Sequence, residues 1–438
     1  MLYLIYDILL FLSIPVIVPF YLLRFLRKGR LRKGIGERLG FLCGEKKSLL
    51  AGHDTIWVHA VSVGETMAAR PLLKALKAWY PGHRIVLSTV TETGQGIGES
   101  IGDVDLCIYF PFDLRFSVKR LLKSIRPSLI VVVETEIWPN FLRCARLLDI
   151  PVVLANGRIS DKSFGGYRCF SRVFRSVLMN FSALCMQTEE DARRIVAIGA
   201  PPSRVSVTKN LKYDLPVRIA SDERKAELRS TYRIPRGIPV ITAGSTHQGE
   251  EESLLTVYRA LLDEGREIFL VLAPRHPERA EEVSGLLERM GIPFTRRSSL
   301  SARTRDFHRG EALLLDSVGE LMEIYSLSDL VFVGGSLAPV GGHNLLEPAS
   351  VEVPVLFGPH MNNFREIASK ILSSAAGVQV TDASQLLSVI RGLLNNPAAR
   401  AEMGGNGARL LLENRGATER HMEIIRTFFP EKVPCSLP

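Results

Sequence analysis

Val331-Phe-Val-Gly-Gly-Ser-Leu-Ala-Pro-Val-Gly-Gly-His-Asn-Leu-Leu-Glu-Pro348 is the stretch on which the reading of the fold turns. An apolar run from Leu330 to Val333 stops at Gly334 and Gly335, and a second glycine pair, Gly341 and Gly342, launches a segment carrying His343, Asn344 and Glu347. This is the order strand, glycine turn, helix. Asn344 is a favoured N-cap, and the N–H groups it leads into would meet a ligand above the strand end, with the helix dipole favouring an anion. In an open parallel sheet ligands bind outside the carboxyl ends of the strands. An ordinary strand-to-helix connection carries the same glycines, so the stretch alone leaves both readings open.

Outward from it, the same alternation fills the chain. Strands are predicted at residues 55–60, 84–89, 106–109, 129–133, 152–155, 183–187 and 204–207, with amphipathic helices between them such as 66–79, where Leu72, Leu73, Leu76 and Trp79 share a face. After a charged stretch near 214–236 the pattern restarts at 240–243, 268–273, 312–316, 330–333 and 355–357. Helices are predicted near 383–394 and 398–428. Strands and helices in alternation imply parallel, doubly wound α/β sheets, and the restart implies two of them. The expected division is 1–23, 24–54, a first domain at 55–214, a linker at 215–236, a second domain with C-terminal helices at 237–428, and a tail at 429–438.

A chain of 438 residues exceeds what one core supports, and 46% hydrophobic with 23% charged residues is globular. The net charge of +9 is concentrated near the N-terminus. Residues 1–23 are apolar except for Asp7 and Ser13, long enough to cross a bilayer, and are followed by Arg24, Arg27, Lys28, Arg30, Arg32 and Lys33. That order puts the later residues in the cytoplasm and the basic segment against anionic lipids. Pro15 and Pro19 also allow a segment that dips into one leaflet, and a buried helix of a soluble core is the plainer alternative. No zinc spacing or aromatic–basic motif points to nucleic acid. Six scattered cysteines with no CxxC suggest a reducing compartment.

Polar residues collect at the strand ends. Glu65, in Ser62-Val-Gly-Glu65, opens a helix where a general base would sit, though first-turn acids also favour the helix dipole. Glu134 and Glu136 end a valine-rich strand, where an acid is costly unless paired or useful. Lys212 lies at the domain junction, where it would stabilise negative charge or be a solvated linker lysine. Arg275 suits a phosphate. Asp103-Val-Asp105 matches a metal-binding tripeptide but precedes a strand instead of following one, and the glycines at 94, 96 and 98 do not make a dinucleotide fingerprint.

The motifs SVGE, VVETEIWPN, NGRIS, NLKYD, AGSTHQGEE, APRHPER and GGSLAPVGGHNLLEPA, in that order, resemble those of the 3-deoxy-D-manno-octulosonic acid (Kdo) transferases of Gram-negative bacteria. The resemblance implies a GT-B fold, two Rossmann-like domains facing a cleft behind an N-terminal inner-membrane anchor. It implies transfer of Kdo from CMP-Kdo to the lipid A precursor lipid IVA, with inversion and without a metal or other cofactor. Glu65 would be the base, and Glu134 and Lys212 would stabilise the transition state. CMP would be held by Pro274 and Arg275, by Val318, Gly319 and Glu320, and by Asn344, Leu345, Leu346 and Glu347. Val61 stands where the family usually has alanine, and Lys209 where it usually has glycine. A transferase using a UDP-sugar, and a tethered binding protein without catalysis, are the alternatives.

Overall fold

The computed structural model describes residues 3–13, 15, 33–301 and 305–429. The chain divides into two compact units, one made of the residues up to Asp214 together with those from Arg415 onward, the other of Leu215–Asn414.

In the first unit β1 (Thr55–His59), β2 (Arg84–Thr89), β3 (Leu106–Tyr109), β4 (Pro127–Val133), β5 (Val152–Gly157), β6 (Ala183–Met186) and β7 (Val205–Val207) form a sheet in the order β3-β2-β1-β4-β5-β6-β7. Every pairing is parallel. Helices cover both faces, so strand residues are buried whichever way they point. Trp57 packs on one side with Phe110 and Phe141, while Ile56 and Val58 pack on the other with Leu72, Leu73 and Leu76. Two-sided burial is why these strands read as unbroken apolar runs.

The second unit repeats the plan. Its strands are β8 (Val240–Thr246), β9 (Phe269–Pro274), β10 (Phe294–Arg296), β11 (Ala312–Leu314), β12 (Leu330–Val333), β13 (Val355–Phe357) and β14 (Gly377–Gln379). They form a parallel sheet in the order β10-β11-β9-β8-β12-β13-β14. In each sheet the chain leaves its first strand in one direction and later returns to the other side of it. The reversals fall between β1 and β4 and between β8 and β12, and such reversals open a crevice at the carboxyl ends of the strands.

Several expectations are corrected here. Residues 398–428 are not one helix: Pro397–Asn414 and Ala417–Phe428 are separate, broken at Gly416 with φ +91°. Asp214 accepts the N–H groups of Gly416 at 2.8 Å and Thr418 at 2.5 Å, so the last helix is capped from, and belongs with, the first unit. The stretch expected as a linker holds the helix Asp222–Thr231 and groups with the second unit. The edge strands β10 and β14 were not expected.

Of the anchor expected at 1–23, residues 3–13 and 15 are helical and the remainder lies outside the described residues, as do 24–32 of the basic segment and 430–438 of the tail. Among the described residues no helix is long and apolar enough to cross a membrane.

Candidate active site

Both sides of each topological reversal end in polar residues. In the first unit β1 leads into the helix Val63–Trp79, whose N-cap Ser62 accepts the Glu65 N–H at 3.4 Å and donates its own hydroxyl to Glu65 Oε1 at 3.0 Å. Glu65 Oε2 takes the Val61 N–H at 2.6 Å. This is a capping box whose acid reaches back one residue beyond the cap. Val61 contributes only its backbone to that bond, so an alanine at this position would make it equally. Burial, opposed by these donors and reinforced by the charges of Glu134 and Glu136, pushes the Glu65 carboxyl up to about 7. A carboxyl poised there exchanges a proton near neutral pH, as a general base must.

Across the reversal, β4 ends at Val133 and Glu134 takes a left-handed backbone, φ +58°, its N–H donating to Ala155 O at 2.8 Å. Lys212 Nζ donates to Glu134 Oε1 at 3.1 Å, both side chains less than one-fifth exposed. The lysine sits on the single turn Leu211–Tyr213, which other strand ends hold in place. Asn156, at φ +57° in β5, accepts the Leu211 N–H through Oδ1 at 3.0 Å. Gln187 Nε2 donates to Asn156 O and Asn210 Nδ2 donates to Gln187 Oε1, each at 2.9 Å. Asn210 Oδ1 in turn accepts the Lys212 N–H at 3.0 Å. Lys209 adopts φ +64°, a left-handed backbone that glycine takes without strain. Glu136 is pushed up to about 7 by burial and by Glu134.

In the second unit the residues after β8 and β12 interlock. Glu250 is buried and accepts five backbone N–H groups: His247 at 2.9 Å and Gly335 at 2.5 Å through Oε2, and Ser336, Leu337 and Ala338 at 3.1 to 3.3 Å through Oε1. A Cβ on Gly334 would lie 2.5 Å from Ser245 O and 2.6 Å from Thr246 Cα, so only glycine permits this approach. Above the turn His247 Nε2 and His343 Nε2 are 2.8 Å apart and share one proton. Burial and then the charge of Arg275 hold His343 down to about 3.

Arg275 follows β9 and is exposed, its N–H donating to Thr246 O at 3.0 Å. Its charge also reaches Glu347, which burial holds above the usual carboxylate range. Asn344 donates through Nδ2 to Glu347 Oε1 at 3.2 Å and accepts the Leu346 N–H at 3.1 Å. The helix expected to start there is the single turn Leu346–Ala349, so no sustained helix dipole faces a ligand. Leu345 and Leu346 are fully buried and have only backbone to offer. Pro274 closes β9. Val318 and Gly319 are exposed beyond β11, whereas the Glu320 carboxylate is engaged by Arg297 at 2.7 Å and by the Ser317 hydroxyl.

The first unit thus assembles Glu65, Glu134 and Lys212, adding Glu136 and the Asn156–Gln187–Asn210 chain. The second gathers Arg275, His343, Asn344 and Glu347. Glu250 went unassigned in the sequence, although it lies in AGSTHQGEE; nothing local shows that a turn 85 residues later needs an acceptor. Asp105 of the rejected metal tripeptide is tied by Lys77 at 2.7 Å, Arg84 at 2.8 Å and the Ile85 N–H at 2.8 Å. Among the described residues no three His, Cys, Asp or Glu side chains group as a metal site.

Residues 33–215 match the family described as 3-Deoxy-D-manno-octulosonic-acid transferase (kdotransferase). The chain is similar to 3-deoxy-D-manno-octulosonic acid transferases of Haemophilus influenzae, 35% identical over 98% of this chain and 99% of the relative, and of Chlamydophila psittaci, 31% identical over 97% and 96%. A glycosyltransferase from Rickettsia africae shares the fold at a TM-score of 0.57, 13% identical, covering 87% of this chain and all of that one.

Proposed function

The chain belongs to the 3-deoxy-D-manno-octulosonic acid transferase family, and from that premise we propose that it moves Kdo from CMP-Kdo to a hydroxyl of lipid IVA, with inversion and with Glu65 as general base. The observation that carries this is the Glu65 carboxyl: capped, half-buried and pushed up to about 7 at the β1–β4 reversal. Glu65 accepts the proton of the acceptor hydroxyl, whose oxygen bonds to the anomeric carbon of Kdo as the bond from that carbon to the CMP phosphate oxygen breaks. The electron pair leaves with CMP. The Lys212 ammonium, steadied by Glu134, stabilises charge in the transition state, and Arg275 neutralises the phosphate. Pro274, Val318, Gly319, Glu320, Asn344, Leu345, Leu346 and Glu347 complete the proposed CMP surface, Glu320 and the two leucines through backbone.

The acceptor is a phosphorylated, acylated disaccharide of the membrane. An apolar stretch at 1–23 followed by six basic residues supports work at the cytoplasmic face of the inner membrane, with anionic lipids against the basic segment. The test is transfer from CMP-Kdo, generated in situ, to a tetraacylated lipid A precursor in detergent. Product from the wild type, a loss of about 10²-fold or more in Glu65→Gln, and retained CMP binding are expected. No product, with UDP bound better than CMP, overturns the reading in favour of a UDP-sugar.

A further inference from the structure

The helix at residues 3–13 is amphipathic in reverse. Tyr3, Tyr6, Asp7 and Leu10, at i, i+3, i+4 and i+7, turn toward the first unit, and the residues turned inward are mostly polar. Tyr6 Oη donates to Asp113 Oδ2 at 2.9 Å, Asn140 Nδ2 donates to Asp7 Oδ1 at 2.7 Å, and Asn180 Nδ2 donates to Tyr3 Oη at 2.8 Å. Asp113 is itself fixed by the N–H groups of Asn140 at 3.0 Å and Phe141 at 2.8 Å. The outward arc is Leu4, Ile5, Ile8, Leu9, Phe11 and Leu12, each between 48% and 66% exposed. A helix held by its polar side and bare on its apolar side is built to meet an apolar phase.

Beside Tyr3 opens a cavity of about 540 Å³. The helices Pro139–Leu147 and Ser171–Leu178 each contribute an i, i+3 arginine pair to it, Arg143 with Arg146 and Arg172 with Arg175. The Arg143 guanidinium lies 4.6 Å over the Tyr3 ring, and Arg146 Nη1 donates to Met179 O at 2.9 Å. Among the described residues no Asp or Glu lines the cavity, and its other walls include the exposed Leu147 and Met179. Four guanidinium groups around one space repel unless an anion joins them, and their forks match phosphate oxygens.

We propose that this pocket binds the phosphate of an anionic membrane lipid headgroup while the outward arc of residues 3–13 sits among the acyl chains. Charge complementarity selects the phosphate, and the adjoining apolar arc selects a lipid as its bearer. A nucleic acid would supply phosphates and leave the arc in water. The proposal does not depend on the transfer reaction, because lipid retention needs no turnover.

The test is native mass spectrometry of the full chain from neutral detergent, supplied with dioleoylphosphatidylglycerol or dioleoylphosphatidylcholine. The wild type is expected to retain the anionic lipid preferentially. Arg172→Gln/Arg175→Gln should lose that preference by about tenfold or more, whereas neutralising Arg30, Arg32 and Lys33 should leave one lipid bound. Should the double variant fail to fold, the single variants Arg172→Gln and Arg175→Gln carry the test, each losing about fivefold. Equal retention by the pocket variants, loss confined to the basic-segment variant, or stronger capture of an oligonucleotide would each overturn it.

Discussion

Replacing Glu65 by glutamine should sharply reduce turnover and, at alkaline pH, make the protein more stable. The carboxyl moves from an ordinary 4.5 to about 7 on folding, first because it is buried and then because Glu134 is charged. Because the folded-state value lies above the unfolded one, the folded form takes up the proton more readily. Glu65 therefore withdraws stability as pH rises from about 4.5, and the loss is complete above about 7. At 1.36 kcal/mol per pH unit the full effect is about 3 kcal/mol, which partial access to water reduces to about half. Glutamine keeps one acceptor oxygen and forfeits about 1 kcal/mol of hydrogen bonding. The thermal midpoint of Glu65→Gln minus that of the wild type should thus rise by about 3–6 °C between pH 5 and pH 8.5. Turnover should fall about 10²- to 10⁴-fold, and the wild-type rate should climb with pH to an apparent value near 7 set by Glu65 and Glu136. Scanning calorimetry at the two pH values, with the transfer assay, decides the matter. An unchanged midpoint difference, or turnover within tenfold of wild type, would refute the reasoning.

Three further substitutions probe what holds the site. Lys212→Met leaves Glu134 with an unpaired, mostly buried charge; we expect a cost of about 1–3 kcal/mol by urea denaturation and a kcat loss of about 10²-fold, with Lys212→Arg recovering part of both. Glu250→Gln turns an amide donor toward N–H groups that need an acceptor, so the midpoint should drop by the equivalent of about 2–3 kcal/mol and CMP affinity by about tenfold in calorimetric titration. Lys209→Gly relieves the φ of +64°; after the greater freedom of the unfolded chain is subtracted, it should stabilise by about 0.5–1 kcal/mol in the same melts, and a loss of stability would show that the lysine side chain matters more than its backbone.

What was legible in the sequence follows from what is local. β12 and β13 were read with their observed bounds because they are apolar on both faces and end at glycine or proline. β10 and β14 were missed because edge strands of three residues, half-buried and mixed in polarity, carry neither an apolar run nor a clean alternation. Residues 398–428 looked like one helix because Gly416 alone is a weak break; the acid that caps the start of the second helix is Asp214, some two hundred residues earlier. The glycine stretch was read correctly as a strand leaving into a turn. The helix expected after it is a single turn, because β13 begins at Val355 and leaves little room for more. The order that binds the stretch comes from Glu250.

Glu65 shows why fold and site could not be separated by motif alone. As an acid three residues after a serine it is what any helix start favours, and the capping bonds are present: the serine hydroxyl and the Val61 N–H both act on its carboxylate. Those bonds favour the charged form, yet burial and Glu134 outweigh them, and the carboxyl still rises to about 7. A cap serving stability alone would sit in water at its ordinary value, charged at neutral pH and gaining from the dipole. Here the same hydrogen bonds fix where the carboxylate points while the sheet reversal strips its water and sets a second acid beside it. Capping therefore supplies the orientation and burial supplies the proton affinity. Only the second depends on the strand order β1-β4, which no window of sequence around residue 65 contains.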